Sequence, residues 1–467
     1  MDILTFVLDE ERKVPIYQQL YLWIKSEIQS GRIPPETKLP SKRKLSSYLH
    51  ISQNTVQSAY NQLMEEGFIT PVERKGFFVN QIDHLIQLDP REGAKKILNR
   101  QVPDNIRYDF SYHGVDPETF PFATWRKITR DVINEYDQEL VRLGDPQGHL
   151  SLRTALASYL YQSRGVNCRE EQIIISSGTE FLFQILIQLF DQEKIFGIEN
   201  PGYEKLHVLF SSNRAQYQSL PLDEQGIKLE GLRERRVDIL CVTPAHQFPS
   251  GEIMPINRRV QLLNWANRSS DRYIVEDDYD SEFKYSGKPI PALQGLDHNE
   301  KVIYMGAFSK SLSPALRVSY MVLPNHLLKR FKERLPFMIC PVPVMDQKVL
   351  SKFIMDGHFE RHLNKMRNVY KRKREVLVRE IKKLNVGMEI LGADTGLHLL
   401  LQVQNGLTEE RLVALALQYG VKVYGISKYY SDQSFMGKAP QILIGFAALR
   451  ENEIRAAVQV LYRAWFS

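Results

Sequence analysis

Apolar residues recur at every fourth position near the start of the chain. Ile16, Leu20, Ile24 and Ile28 place one apolar face on a helix that Ser30-Gly31 would end. After the turn Ile33-Pro34-Pro35, a short second helix can begin at Ser41 and run through Leu45 and Leu49. A third can begin at Ser52, an N-cap residue type, with Val56, Tyr60 and Leu63 inward and Gly67 closing it. Two β-prone runs follow, Phe68-Ile69-Thr70 and Phe77-Phe78-Val79, joined through Glu73-Arg74-Lys75-Gly76 as a hairpin with a basic tip. Residues 81–107 lose this periodicity and carry Asp89-Pro90, Gly93 and Pro103, the features of a linker. From Tyr108 onward short apolar runs alternate with helical patterns. Predicted strands are Ile173–Ser176, Ile195–Ile198, Ile239–Val242, Tyr273–Val275, Val302–Met305 and Val318–Val322. Such continuous apolar runs fit strands buried on both faces of a mostly parallel sheet.

The pattern therefore predicts three parts: a head at 1–80 with the element order of a winged helix-turn-helix, a linker at 81–107, and a large α/β body at 108–467. A length of 467 residues and a hydrophobic share of 43% allow cores for both. The net charge of +6 permits a polyanion partner without demanding one. Even the head is nearly neutral, with 10 Lys+Arg against 9 Asp+Glu in residues 1–80, but its cations concentrate at 38–44 and 74–75. Three scattered cysteines, Cys168, Cys241 and Cys340, exclude a disulfide framework and any CxxC zinc site. Asp2 stands where a signal peptide would carry a cation. The longest apolar stretch, Phe181–Phe190, is interrupted by Gln184 and Gln188 and is too short to span a bilayer. The expectation is a cytoplasmic protein with no membrane partner.

The chain lacks GxGxxG, GxxxxGK and GxSxG spacings. His358 and His362 share a helix face, but Phe-Glu-Arg lies between them and no third ligand is evident, so no metal is expected. What remains is the set of strand ends, where ligands gather in open α/β sheets. In order these are Ser177-Gly178-Thr179, Glu199–Tyr203, Thr243–His246, Glu276–Tyr279 and Ala307–Lys310. Small residues opening a helix can hold a phosphate on backbone N–H groups. A carboxylate, a phenol and a lysine at one rim are what pyridoxal 5'-phosphate (PLP) needs for its ring nitrogen, its ring hydroxyl and its aldehyde.

These segments carry a resemblance. Leu39-Pro40-Ser41-Lys42-Arg43-Lys44-Leu45 is similar to the GntR "LPSxRxL" turn, Asn54-Thr55-Val56 to its recognition helix, and Glu73–Val79 to its wing. Residues 108–467 resemble fold-type I aminotransferases, so the whole chain resembles the MocR-type transcriptional regulators. It is especially similar to their GABA-responsive members at His246–Gly251, Glu276–Phe283 and Tyr304–Leu312. The resemblance implies an internal aldimine at Lys310, a pyridine-nitrogen partner in Asp277, an O3′ contact in Tyr279 and a ring contact in Tyr203. Gly178, Thr179, Ser309 and Arg317 would surround the phosphate. Lys42, Arg43, Lys44, Ser52, Gln53, Asn54, Thr55, Arg74, Lys75 and Gly76 would face operator DNA. Gln53 or Asn54 would read an A·T pair, because amide side chains suit adenine.

Departures from the pattern bear on activity. Phe248 precedes Pro249-Ser250-Gly251 where an aminotransferase carries asparagine, and Leu443 stands where one carries the arginine for a substrate α-carboxylate. Lys205 and Lys428 replace the two arginines with which GABA-responsive regulators hold their ligand; with His246 they complete the expected effector site. The resulting expectation is a PLP-dependent, non-enzymatic regulator that senses a small amine, an amino acid or PLP itself. It would act as a homodimer, the head of one subunit packed on the body of the other. The alternative is an active aminotransferase with an appended DNA-binding head. The basic run Lys371-Arg372-Lys373-Arg374 is expected to be a solvated helix face.

Overall fold

The computed structural model describes residues 14–82, 106–285, 290–432, 437 and 439–466, so most of the expected linker lies outside the described residues. Two compact units divide between residues 101 and 102.

The described residues of the first unit form three helices and a hairpin. Helix α1 spans Ile16–Gln29 and buries Leu20, Tyr21, Ile24 and Ile28. Helices α2 (Lys42–Leu49) and α3 (Gln53–Glu65) start where a serine hydroxyl replaces a missing intrahelical acceptor. Ser41 Oγ accepts from the Lys44 N–H, and Ser52 Oγ from the Thr55 N–H. His50, in the left-handed region at φ +55°, turns the chain between them. Strands β1 (Ile69–Val72) and β2 (Gly76–Val79) pair antiparallel, and the Thr37–Leu39 backbone bonds along the far side of β2. Tyr60 ties α3 to both neighbours. Its hydroxyl donates to the Pro40 carbonyl at 2.9 Å, and its ring meets Phe77 edge-on at 5.0 Å. Burial of Val56, Ala59, Tyr60 and Leu63 seats one face of α3 and leaves Gln53 and Asn54 exposed at its start.

The second unit is built on an eight-stranded sheet. After β3 (Tyr108–Asp109) come β4 (Ile173–Ser176), β5 (Ile195–Asn200), β6 (Gln216–Asp223), β7 (Gly226–Ile227), β8 (Ile239–Val242), β9 (Tyr273–Asp278), β10 (Val302–Ala307) and β11 (Ser319–Val322). The order is β4-β11-β10-β9-β8-β5-β6-β7. The run from β10 to β6 is parallel; β11 is antiparallel to both neighbours and β7 to β6. Apolar clusters pack on its faces, so β4, β8 and β11 are buried throughout, as their continuous apolar runs predict.

A smaller antiparallel sheet, β12 (Met388–Leu391), β13 (His398–Val403), β15 (Tyr424–Gly425) and β16 (Gln441–Gly445), has the order β12-β13-β16-β15, while β14 (Val421–Lys422) pairs with β3. None of these C-terminal strands is among the predicted ones. Strand β9 also outruns its apolar stretch, because its polar end finds partners. Glu276 accepts from the Leu293 and Gln294 N–H groups, and Asp278 from Arg164 and Tyr304. The expectation of a wholly solvated 371–374 run fails at Lys373. That ammonium is buried between Asp116 (2.8 Å) and the Ala447 carbonyl (2.7 Å). Among the described residues no helix is long and apolar enough to cross a membrane.

Candidate functional site

Parallel strands end along one edge of the sheet, and there the expected residues converge on a cavity of about 160 Å³. Thr179, Tyr203, Asp277, Tyr279, Ser309, Lys310 and Arg317 line it, together with Lys205. Gly178 caps the helix that starts at its rim, α4 (Thr179–Leu189). Lys428 and His246 are not among the lining residues.

Lys310 follows β10. Its Nζ donates to the Tyr112 carbonyl and lies 5.6 Å from that ring's centroid. Burial pushes its ammonium down to about 8, so a useful fraction is the neutral, nucleophilic amine. Asp277, near the end of β9, is half-buried as a residue, but its carboxyl is pushed up to about 7, first by desolvation and then by neighbouring carboxylates. Its Oδ1 is buried with no hydrogen-bond partner. Leaving such an atom unsatisfied costs about 1–3 kcal/mol. A ring N–H⁺ entering the cavity would supply the missing donor and favour the carboxylate.

Tyr279 follows at once. Its hydroxyl lies 3.0 Å from His246 Nδ1, which is also 2.9 Å from Asp280 Oδ1. His246, 2% exposed, stacks on the Tyr279 ring at 5.7 Å. It supports the phenol from a buried position rather than facing the cavity. Asp280, His246 and His398 cluster closely enough to resemble a metal site. Yet His246 Nδ1 is bonded to Asp280, and His398 Nε2 lies 3.2 Å from the Pro249 carbonyl.

At the opposite side Gly178 adopts φ +100°, where a Cβ would come within 2.1 Å of Arg317 Nη2. Its N–H donates to Ser319 Oγ at 2.9 Å, which fixes the turn. Arg317, itself left-handed at φ +53°, reaches the Ser177 carbonyl at 3.2 Å and Glu180 Oε2 at 3.1 Å. Glycine, the first turn of α4 and a guanidinium together form an anion cradle.

The two departures noted in the sequence share one apolar patch. Phe248 and Leu443 are buried with Tyr112, Leu400, Ile426 and Tyr429, and Tyr203 and Tyr279 pack against them. Phe248 lines the cavity, 4.9 Å from the Tyr112 ring. Leu443 is fully buried in the patch and offers no charge there. Lys428 rests on the faces of Tyr429 (4.7 Å) and Tyr424 (5.0 Å) instead of pairing with a carboxylate.

Sequence reasoning missed Tyr112, His113, Glu180 and Pro314 in the lining, and named Thr243 only as part of a strand end. Tyr112 and His113 sit in an irregular segment, where no periodicity marks them. Glu180 was readable, being the residue after Thr179.

In the first unit, Arg43, Lys44, Gln53, Asn54, Arg74 and Lys75 are exposed. Among the described residues of this unit the ion pairs are Lys25–Glu66 and Arg32–Glu27, and neither involves an α2 or hairpin cation. Lys42 donates to Gln57 of α3 and lies 5.8 Å from the Phe77 ring, so it also braces the hairpin. Ser52 and Thr55 hydroxyls bond each other at 2.8 Å within the cap. Gly76, at φ +112°, lets β2 begin directly after the tip.

Residues 16–79 match the bacterial regulatory proteins of the gntR family, and residues 115–461 match aminotransferase class I and II. The molecule is a helix-turn-helix transcriptional regulator joined to an aminotransferase-type domain. The chain belongs to the MocR-type branch of the GntR family. It is 41% identical to the HTH-type transcriptional regulator YdeL of Bacillus subtilis, over 100% of both chains. It is 32% identical to the probable rhizopine catabolism regulatory protein MocR of Rhizobium meliloti, over 99% of this chain and 96% of that one. Among solved structures, a Pyrococcus horikoshii kynurenine aminotransferase in complex with PMP superposes with a TM-score of 0.69 at 25% identity. That likeness covers 77% of this chain and 90% of the enzyme. The cofactor of this class is PLP, as expected from the strand ends.

Proposed function

We propose that this regulator holds PLP in the 160 Å³ cavity and uses it to sense a small primary amine while the first unit binds operator DNA. The observation that carries the reading is the partnerless buried Oδ1 of Asp277 in the same cavity as the amine of Lys310. When bound, PLP supplies an aldehyde that captures primary amines. Lys310 would be its covalent anchor, Asp277 would accept from the ring nitrogen, and Tyr279, held by His246, would meet the ring hydroxyl. Tyr203 would contact the ring, and Gly178, Thr179, Ser309 and Arg317 would hold the phosphate.

The protein is a sensor rather than an enzyme. Turnover needs the amine's carboxylate held to within about 1 Å, and misplacement on that scale costs roughly 10²-fold in rate. The position that would do this carries Leu443, and Phe248 replaces the asparagine that would bond the cofactor ring hydroxyl; both are apolar and packed together. On the DNA, Arg43, Lys44, Arg74 and Lys75 contact phosphates, and Gln53 or Asn54 reads an adenine. A homodimer would present two such heads to two half-sites.

The test uses a duplex selected by the wild-type protein from a random-sequence pool. Lys310→Ala should bind it within about threefold of wild type yet lose every amine-dependent change in affinity. Retained amine response in Lys310→Ala would refute the sensing role. Steady keto-acid production from a panel of amino acids by the PLP-loaded protein would refute the non-enzymatic reading.

A further inference from the structure

The anion cradle already holds an anion supplied by the chain itself. Glu180, the second residue of α4, lies 3.1 Å from Arg317 Nη2 and 3.5 Å from Lys205 Nζ. Burial alone would raise its carboxyl, but its own backbone N–H and the Arg317 guanidinium hold it below the ordinary carboxylate range, so it is charged at neutral pH. The atoms nearest a Cβ built on Gly178 are Arg317 Nη2 and Glu180 Oε2. The carboxylate thus engages the same guanidinium and the same helix turn that would hold a phosphate.

We propose that Glu180 is a built-in competitor for the cofactor phosphate: its carboxylate holds the cradle when the phosphate is absent and must leave it when the phosphate binds. The inference rests on the PLP reading given above. A phosphate dianion and a carboxylate cannot share one guanidinium and one helix turn without strong like-charge repulsion. The exit is next to the cradle, because Lys205 Nζ is already within reach of the other carboxylate oxygen. Phosphate binding therefore transfers Glu180 from Arg317 to Lys205. Lys205 so paired no longer offers a free cation to an incoming ligand. The arrangement weakens cofactor retention and favours amines whose far end is neutral or cationic over those ending in a carboxylate.

Titration of apoprotein with PLP and with pyridoxal, followed by absorbance, tests this directly. Pyridoxal carries the aldehyde and ring without the phosphate. Glu180→Gln should tighten PLP binding roughly two- to fivefold, the range for removing one partly exposed like charge, and leave pyridoxal binding unchanged. Glu180→Ala should do the same, which separates loss of charge from any change of shape; a thermal melt confirms that both variants fold. Unchanged or weaker PLP binding in both variants overturns the proposal. Equal tightening of PLP and pyridoxal also overturns it, since the effect would then lie at the aldehyde end. Wild-type protein that binds neither overturns the cofactor reading itself.

Discussion

The depressed Lys310 ammonium makes a kinetic prediction. Only the neutral amine attacks an aldehyde, so cofactor incorporation into apoprotein should follow the fraction of Lys310 that has lost its proton. At a value of about 8, that fraction is roughly a tenth at pH 7. At the ordinary 10.5 it would be roughly one in three thousand, so burial accelerates incorporation by about 300-fold at neutral pH. Rapid mixing of apoprotein with PLP between pH 6 and pH 9.5, normalised to a simple alkylamine in the same buffers, isolates the protein's share. The protein's log rate should rise by about one per pH unit up to about pH 8 and then level. The alkylamine should keep rising. If the protein's profile instead tracks the alkylamine throughout, Lys310 is not desolvated and the reading of its amine as depressed by burial is wrong.

The same value has a stability consequence. Between about 8 and 10.5 the unfolded chain binds more protons than the folded one, so apoprotein stability should rise with pH across that window and carry its full penalty below it. Lys310→Met should remove this rise in denaturant melts of the apoprotein. Gly178→Ala forces a side chain into φ +100° and to within 2.1 Å of Arg317, so PLP affinity should fall at least tenfold, with pyridoxal affected less. Arg43→Ala should weaken binding to the selected duplex across sequences and lower the salt slope by about one, whereas Gln53→Arg should shift the preferred base towards guanine, as read by repeating the selection. Leu63→Ala in the fully buried face of α3 should cost about 2–5 kcal/mol, abolishing DNA binding while the cofactor absorbance survives.

How much of this was legible depends on whether function and periodicity coincide. Helices α1 to α3 and the hairpin announce themselves, because their apolar spacing and their serine caps are local signals. Asp277, Tyr279 and Lys310 were readable because strand ends are where a parallel sheet gathers ligands. The antiparallel C-terminal sheet escaped detection, since β13 and β16 are short apolar runs without a partner signal nearby in sequence. The cavity's other wall escaped for a different reason. Tyr112 and His113 belong to irregular backbone whose position is set by packing against Phe248 and Tyr429, contacts separated by well over a hundred residues. His246 shows the limit from the other side: its motif was found, but burial beside Asp280 turns an expected ligand contact into a support for Tyr279.

The placement of cations around the cavity then argues for what the site can distinguish. Arg317 and Lys205 face Glu180, Lys310 donates to the Tyr112 carbonyl, and Lys428 lies on two aromatic faces. Among the described residues these cations are all in contact with a carboxylate, a carbonyl or an aromatic face, and Leu443 adds none. A carboxylate approaching Arg317 or Lys205 gains little, because it must displace the Glu180 carboxylate to make a new pair. With PLP bound, Lys310 would be the amine that competes with an incoming amino group for the aldehyde. The proposed sensor should therefore select its ligand by the amino group more than by an acid group, whereas an aminotransferase's turnover depends on holding the carboxylate.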